Sequence, residues 1–260
     1  MYKTNDSVNK VAFLVVSCDS YSDVWDIFFN NLTKFWPDCP YDVYLQSNFK
    51  DFHSDKGVKT LKVGKDKSWS DGLIKALSQL QNYEYVLLAL EDLIINDFVN
   101  TETVKAAAEN IIVINGNYLT LVNEPMPDKG FNCLFGEISQ GAMYRSTATF
   151  ALWNRNTLIK LLDPKENAWE FEKIGSQRSN SYPGFYAVYT DYFPYLNAVI
   201  KGKWTYEAMK YFDKNNIAFN VTREKMTMFE WIKFRIYRAL RRTILTLTPF
   251  KLRRKLLLNK

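Results

Sequence analysis

The segment YEYVLLALEDLIIN, Tyr83–Asn96, constrains this chain more than any other. It is an apolar run that meets two adjacent acids, Glu91 and Asp92, and then turns apolar again. Desolvating an unpaired carboxylate costs several kcal/mol, so a buried strand does not carry one without a reason. Two readings are open: the pair sits just past a strand end in a functional crevice, or it is a salt-bridged structural pair.

The neighbouring segments supply the fold. KVAFLVVSC reads as a fully buried strand, being short, β-branched and apolar with turn residues after it. An amphipathic helix follows, with Val24, Ile27, Phe28, Leu32 and Phe35 at helical spacing and Pro37 and Pro40 beyond it. YDVYLQSN and VKTLKVG read as strands, SWSDGLIKALSQLQ as a helix capped by Ser70, and YEYVLLAL as the central strand. NTETVKAAAENI is a helix capped by Asn100 or Thr101, and YLTLVN another strand. Strands alternating with helices over residues 1–120 predict an α/β fold, a mostly parallel Rossmann-type sheet with helices on both faces. Ligands of such sheets bind at the carboxyl ends of strands. The acids that follow strands are Asp19 and the Glu91–Asp92 pair.

Beyond residue 120 the alternation weakens. EPMPDKGFNCLFGEISQG reads as a long irregular loop, AMYRSTATFALW as a strand, NRNTLIKLLD as a helix capped near Asn154 or Asn156, and TYEAMKYFDKNN as a short helix.

Composition excludes several classes. The chain has 260 residues, 47% hydrophobic and 16% aromatic, enough for a substantial core. Its three cysteines, Cys18, Cys39 and Cys133, fit no zinc-ribbon spacing, and their odd number points to a reducing compartment. One histidine, His53, leaves little material for a Ser-His-Asp triad or a multi-histidine metal site. GxGxxG and GxxxxGK[ST] are absent, which disfavours dinucleotide dehydrogenases and P-loop enzymes. No secretory leader and no apolar stretch of spanning length are read from the sequence.

Charge is unevenly spread. Of 34 basic and 28 acidic residues, ten and one lie in residues 230–260, so 24 and 27 remain in residues 1–229, a net of −3. The tail mixes Trp231, Phe234, Ile236, Leu240, Ile244 and Leu247 with this basic charge, the pattern of an amphipathic membrane-surface helix. Nucleic acid is not expected as a partner, because the body is acidic and carries no reader motif.

The ordered segments VVSCDSY, WPDCPYDVYLQSN, WSDGLIKAL, YEYVLLALEDLII, ATFALWNRNTLIKLL, NAWEFEKIGS and IKGKW, spread over residues 10–205, resemble a family of bacterial glycosyltransferases with the GT-A fold, those of surface polysaccharide (O-antigen or capsule) synthesis. The resemblance implies transfer of a sugar, of hexosyltransferase type, from a nucleotide-sugar to a saccharide acceptor. A polyprenyl-diphosphate-linked glycan at the cytoplasmic face of the inner membrane is the expected acceptor. It divides the chain into a glycosyltransferase domain, 1–229, with a nucleotide-sugar half (1–120) and an acceptor half (121–229), and a membrane-associating tail, 230–260.

By that resemblance ALEDL stands where the acidic DxD-type motif binds a divalent metal, Mn²⁺ or Mg²⁺, and the diphosphate. Asp92 is then the leading ligand and Glu91 the second, while Leu93 departs from the motif. Asp19 is expected to contact base and ribose; Trp69 and Asp71 open a helix whose N-terminus favours anions. Lys203 and Lys201 of KGKW are phosphate-reaching candidates. In AWEFE, Glu172 is favoured and Glu170 is the alternative as the base that deprotonates the acceptor. Trp169 and Trp153 are expected to bind the acceptor, with Arg145 shaping its pocket. The other reading is a non-catalytic GT-A-like module that binds glycan or membrane in a polysaccharide assembly complex.

Overall fold

A computed structural model describes residues 7–54 and 57–247; of Arg238 and residues 241–247 only the backbone is described. Six apolar residues build β1 (Val11–Val16), and all six are buried. Alternation sends Phe13 and Val15 into one core and Ala12, Leu14 and Val16 into another. A strand apolar on both sides must be covered on both sides, and the helices do so. Helix α1 (Ser22–Phe35) buries Val24, Ile27, Phe28, Leu32 and Phe35 in the first core. Strands β2 (Asp42–Ser47) and β3 (Lys59–Lys62) extend the sheet. Helix α2 (Trp69–Gln79) then packs Leu73, Ala76 and Leu77 into the second core.

Strand β4 (Tyr85–Leu90) pairs parallel to β1 over its whole length. After it the chain leaves this sheet. Strand β5 (Leu93–Ile95) belongs to a separate two-stranded ribbon, so Glu91 and Asp92 are the two residues at the switch between sheets. Helix α3 (Thr101–Val113) returns to the first core, with Asn100 as its cap.

The second half of the chain completes the same sheet. Strands β6 (Tyr118–Thr120), β7 (Lys129–Gly130), β8 (Phe135–Glu137) and β9 (Ala151–Asn154) precede helix α4 (Arg155–Leu161), which covers the second core. A helical stretch follows: α5 (Ala168–Glu170), a π turn (Phe171–Gly175) and α6 (Ser176–Arg178). Strand β10 (Phe185–Val188) closes the nine-stranded order β3-β2-β1-β4-β9-β6-β10-β8-β7. Seven of these strands point one way, and β8 and β9 run against them. The architecture is α/β, a mostly parallel sheet between helices.

Strand β11 (Tyr195–Asn197) pairs antiparallel with β5, and β12 (Val199–Ile200) forms a tight hairpin with β13 (Lys203–Trp204). Helix α7 (Tyr206–Lys214) packs Ala208 and Phe212 into the first core. Helix α8 (Met228–Leu247) begins two residues before the expected tail boundary and seats Trp231 on Ile200 and Met226. The basic cluster at 251–255 lies outside the described residues. No described helix is long and apolar enough to cross a membrane.

Two local expectations are corrected. The cap of α2 is Ser68, whose hydroxyl accepts from the Asp71 amide at 3.1 Å, while Ser70 is buried with its hydroxyl unpartnered. The helix starts at Trp69, one residue before the expected cap, so the free amides lie within reach of Ser68. The strand expected over 142–153 is extended only from Ala151, in β9. Tyr144 and Phe150 adopt left-handed backbone at φ 50° and 29°, which breaks a strand.

Candidate active site

Parallel strands place their carboxyl ends along one edge, and that edge gathers the acids. Ser17–Asp19 follow β1, Asn48–Lys50 follow β2 and Glu91–Asp92 follow β4. Glu91 is 7% exposed and buried against Ser17, itself held by the Trp25 indole at 2.7 Å. Burial, then the neighbouring Asp92 charge, pushes the Glu91 carboxyl well above the usual carboxylate range. Burial raises Asp92 to about 7. Its backbone carbonyl accepts from Ala198 at 2.7 Å, but its Oδ1 is buried without a hydrogen-bond partner. A buried carboxylate oxygen without a partner calls for an explanation, and a bound ion, a water or a catalytic role would each supply one.

Glu172 reaches the same edge from the other half of the chain. It lies in the π turn, and its Oε1 accepts from the Ala148 amide at 3.1 Å, just before β9. Burial raises its carboxyl to about 7, with Glu124 and Asp92 adding like charge. Glu172 is thus near enough to Asp92 for their charges to interact, while Glu91 and Asp92 are neighbours in the chain. Glu170 is elsewhere: it closes a reciprocal capping box with Asn167, accepting at 2.9 Å and donating at 3.0 Å. It is a helix cap on the surface, which corrects its candidacy as a base.

A cleft of about 620 Å³ is lined by residues including Asp19, Asp23, Lys50, Lys201, Lys203 and Arg223; none of the three acids lines it, but the charge of Arg223 is felt by Glu91 and Asp92. Asp19 is there, but its carboxylate latches the loop after β2, accepting from the amides of Asn48, Phe49 and Lys50 at 3.0, 3.1 and 3.2 Å. Lys203 is there too, paired with Glu224 and Glu230 at 3.2 and 3.3 Å. Asp71 stands off the acid cluster, bound to the Lys67 amide and to Lys75 at 2.8 Å. The Lys75 hydrogen bond holds its carboxyl below the usual value. Trp69 packs 5.6 Å from Phe171 of the π turn.

The two acceptor tryptophans part company. Trp169 is 58% exposed and available. Trp153 is fully buried, its ring 4.4 Å from Tyr118 and 5.9 Å from Phe185, so it is core and not an acceptor contact. Arg145 is likewise structural. It donates to the carbonyls of Ile138, Ser179 and Tyr182 and stacks 4.1 Å over Phe185.

Arg223 is the residue that sequence reasoning missed. It forks onto Asp23, donates to the carbonyls of Ser20 and Gly202 at 3.3 Å each, and lies 4.6 Å over the Tyr21 ring. Nothing in NVTREK signals this, because its partner stands 200 residues away.

The residues suit a divalent cation. Mg²⁺ and Mn²⁺ favour oxygen donors and need only one or two from protein. Asp92 Oδ1, buried and unpartnered, with Glu91 beside it, is such a donor set. No cluster of three His, Cys, Asp or Glu occurs among the described residues, and Leu93 is buried in β5, where it contributes no ligand.

No family model matches the sequence, and no curated protein matches it. Solved structures do. The chain is similar to the mannosyltransferase PcManGT from Pyrobaculum calidifontis, in complex with GDP-Man and Mn²⁺. The identity is 11%, the TM-score 0.50, and 74% of this chain covers 58% of that one. It is also similar to residues 1–349 of TarS from S. aureus, at 17% identity and TM-score 0.44, covering 68% of this chain and 60% of that one. At 11% identity the likeness to the mannosyltransferase is one of fold, a GT-A-like α/β architecture. This chain spans about three-fifths of each of those two structures.

Proposed function

We propose that the protein is a glycosyltransferase that moves a sugar from a nucleotide-sugar, held in the cleft beside β1 and β4, to a saccharide hydroxyl. The observation that carries this reading is the buried pair Glu91–Asp92 at the carboxyl edge of a GT-A-like sheet, within charge contact of Glu172 on one side and, on the other, of Arg223 in a cleft with four cations. The mannosyltransferase of like fold was solved with GDP-Man and Mn²⁺, which supports a nucleotide-sugar and a divalent ion for this chain as well.

The chemistry follows from the placement. Glu172, with its carboxyl near 7, is partly ionised at neutral pH and takes the proton of the acceptor hydroxyl. The hydroxyl oxygen bonds to the anomeric carbon. The bond from that carbon to the diphosphate breaks, and its electron pair stays on the phosphate oxygen. Asp92 and Glu91 would hold the divalent ion, which when bound supplies positive charge to the diphosphate. Trp169, exposed three residues before Glu172, offers a flat face to an acceptor sugar.

A polyprenyl-diphosphate-linked glycan of surface polysaccharide (O-antigen or capsule) synthesis, presented at the inner membrane face, fits the C-terminal helix. Past its anchored Trp231, α8 exposes Ile232, Ile236 and Leu240 with Lys233 and Arg235 among them. Apolar side chains can enter a headgroup layer while the cations stay at phosphate level.

A thermal-shift screen with UDP-, GDP-, dTDP- and CMP-sugars, with and without Mn²⁺, tests the reading. One nucleotide class should raise the melting temperature, since a ligand in large excess stabilises the native state by a few kcal/mol. No shift with any of them contradicts it.

A further inference from the structure

The cleft's four cations are not equivalent. Lys50 donates to the Asp19 carbonyl and to the Ser22 hydroxyl, at 3.3 and 2.6 Å. Arg223 is taken up by Asp23 and two carbonyls. Lys203 lies between Glu224 and Glu230. Only the ammonium group of Lys201 makes no ion pair or hydrogen bond among the described residues, though it lines the cleft and is exposed.

Its backbone is also unusual. Lys201 and Gly202 form the two-residue turn between β12 and β13, and both are left-handed, at φ 51° and 78°. Such a turn twists with its strands, and Asn or Gly fills its first position without strain. A lysine there holds a backbone that long side chains avoid. Strain is kept only where the surroundings enforce it, and here they do. Arg223 Nη1 donates to the Gly202 carbonyl at 3.3 Å, while its other nitrogens grip Asp23 on α1. The guanidinium thus ties the hairpin tip to the first turn of α1, both of which line the cleft.

We infer that, of the two lysines of KGKW, Lys201, presented on a turn pinned by Arg223, is the cation that receives the diphosphate of the donor nucleotide, and Lys203 is not. The inference rests on the donor reading above and deepens it. As the bond to the anomeric carbon breaks, the departing phosphate oxygen gains one negative charge. A free ammonium at the rim meets that charge without giving up another partner. Lys203 would first have to leave two glutamates.

Calorimetric titration of the full chain tests this, using UDP, GDP, dTDP and CDP with their nucleosides, on wild type, Lys201→Ala, Lys201→Arg and Lys203→Ala. The diphosphate that binds wild type should bind Lys201→Ala about tenfold or more weakly, the loss of one charge-assisted contact. The matching nucleoside should keep its affinity, and Lys201→Arg should restore most of the diphosphate binding. Unchanged diphosphate affinity in Lys201→Ala, equal loss of nucleoside and diphosphate, or a larger loss in Lys203→Ala overturns the assignment while leaving the donor reading in place. If no diphosphate binds wild type but CMP does, the assignment falls and the donor reading stands; if neither binds, both fall.

Discussion

Glu172 carries a measurable burden. Its folded pKa, about 7, stands above the ordinary glutamate value of 4.5 because the carboxyl is buried. Between those values the folded protein holds a proton that the unfolded chain has lost. The stability this group contributes is therefore full below pH 4.5 and lost as pH rises through 7, a cost on the order of a few kcal/mol. Glu172→Gln should melt higher than wild type at pH 8 and show little difference at pH 4.5. The same change should cut turnover by about 10²-fold or more with donor binding retained. Equal melting shifts at both pH values, or unchanged turnover, would contradict this account of Glu172. In wild type, turnover should climb through pH 7 as the base ionises. Asp92→Asn makes a second test. Its Oδ1 has no partner to lose, so the fold should survive while transfer is abolished. Unfolding of that variant, measured by circular dichroism, would make Asp92 a structural residue.

Elements explain what the sequence could and could not disclose. The runs VAFLVV and YVLLAL declare themselves because a strand buried on both faces is apolar at every position. Amphipathic α1 and α2 follow for the same reason, since each shows one apolar stripe to the sheet. The acid pair was legible as a conflict between burial and charge, which its place at the switch between two sheets resolves. Glu170 and Glu172, two positions apart, were not separable before the capping box was seen. Trp153 was misplaced because a large aromatic serves core and binding site alike. The Asp23–Arg223 pair was invisible, being made by contact across the fold. It fastens the segment after α7 to α1, where both groups keep little exposure. Burial opposes ionisation of Asp23, but its hydrogen bond and charge contact with Arg223 win, so its carboxyl is lowered. That stability is present above the usual carboxylate pKa and is lost as pH falls through the folded value. Asp23→Asn should cost on the order of 3 kcal/mol and perturb the fluorescence of nearby Trp204, which lies 5.5 Å from the Arg223 guanidinium. A variant as stable as wild type in urea would show that the pair fastens nothing.

The whole molecule is a body of net charge −3 with a basic C-terminal segment. An anionic bilayer should repel the first and attract the second, each cation near the surface adding about 1 kcal/mol. Trp231 and Phe234 belong to the folded body, so a truncation that keeps them and ends after Arg235 isolates the rest of the helix. The full chain should co-sediment with anionic vesicles at low salt and release at high salt, and the truncated chain should stay in solution. Equal sedimentation of the two would place α8 against its own domain. Catalysis at the sheet edge is a separate matter from this anchoring, and it is the central claim. Its most direct test is transfer of labelled sugar from the nucleotide-sugar that stabilises the protein to a membrane glycolipid extract, compared among wild type, Asp92→Asn and Glu172→Gln. Labelled glycolipid is expected with wild type and little or none with either variant. Donor binding without transfer by wild type, or transfer that both variants retain, would contradict the claim and leave a non-catalytic binding module with a GT-A-like fold.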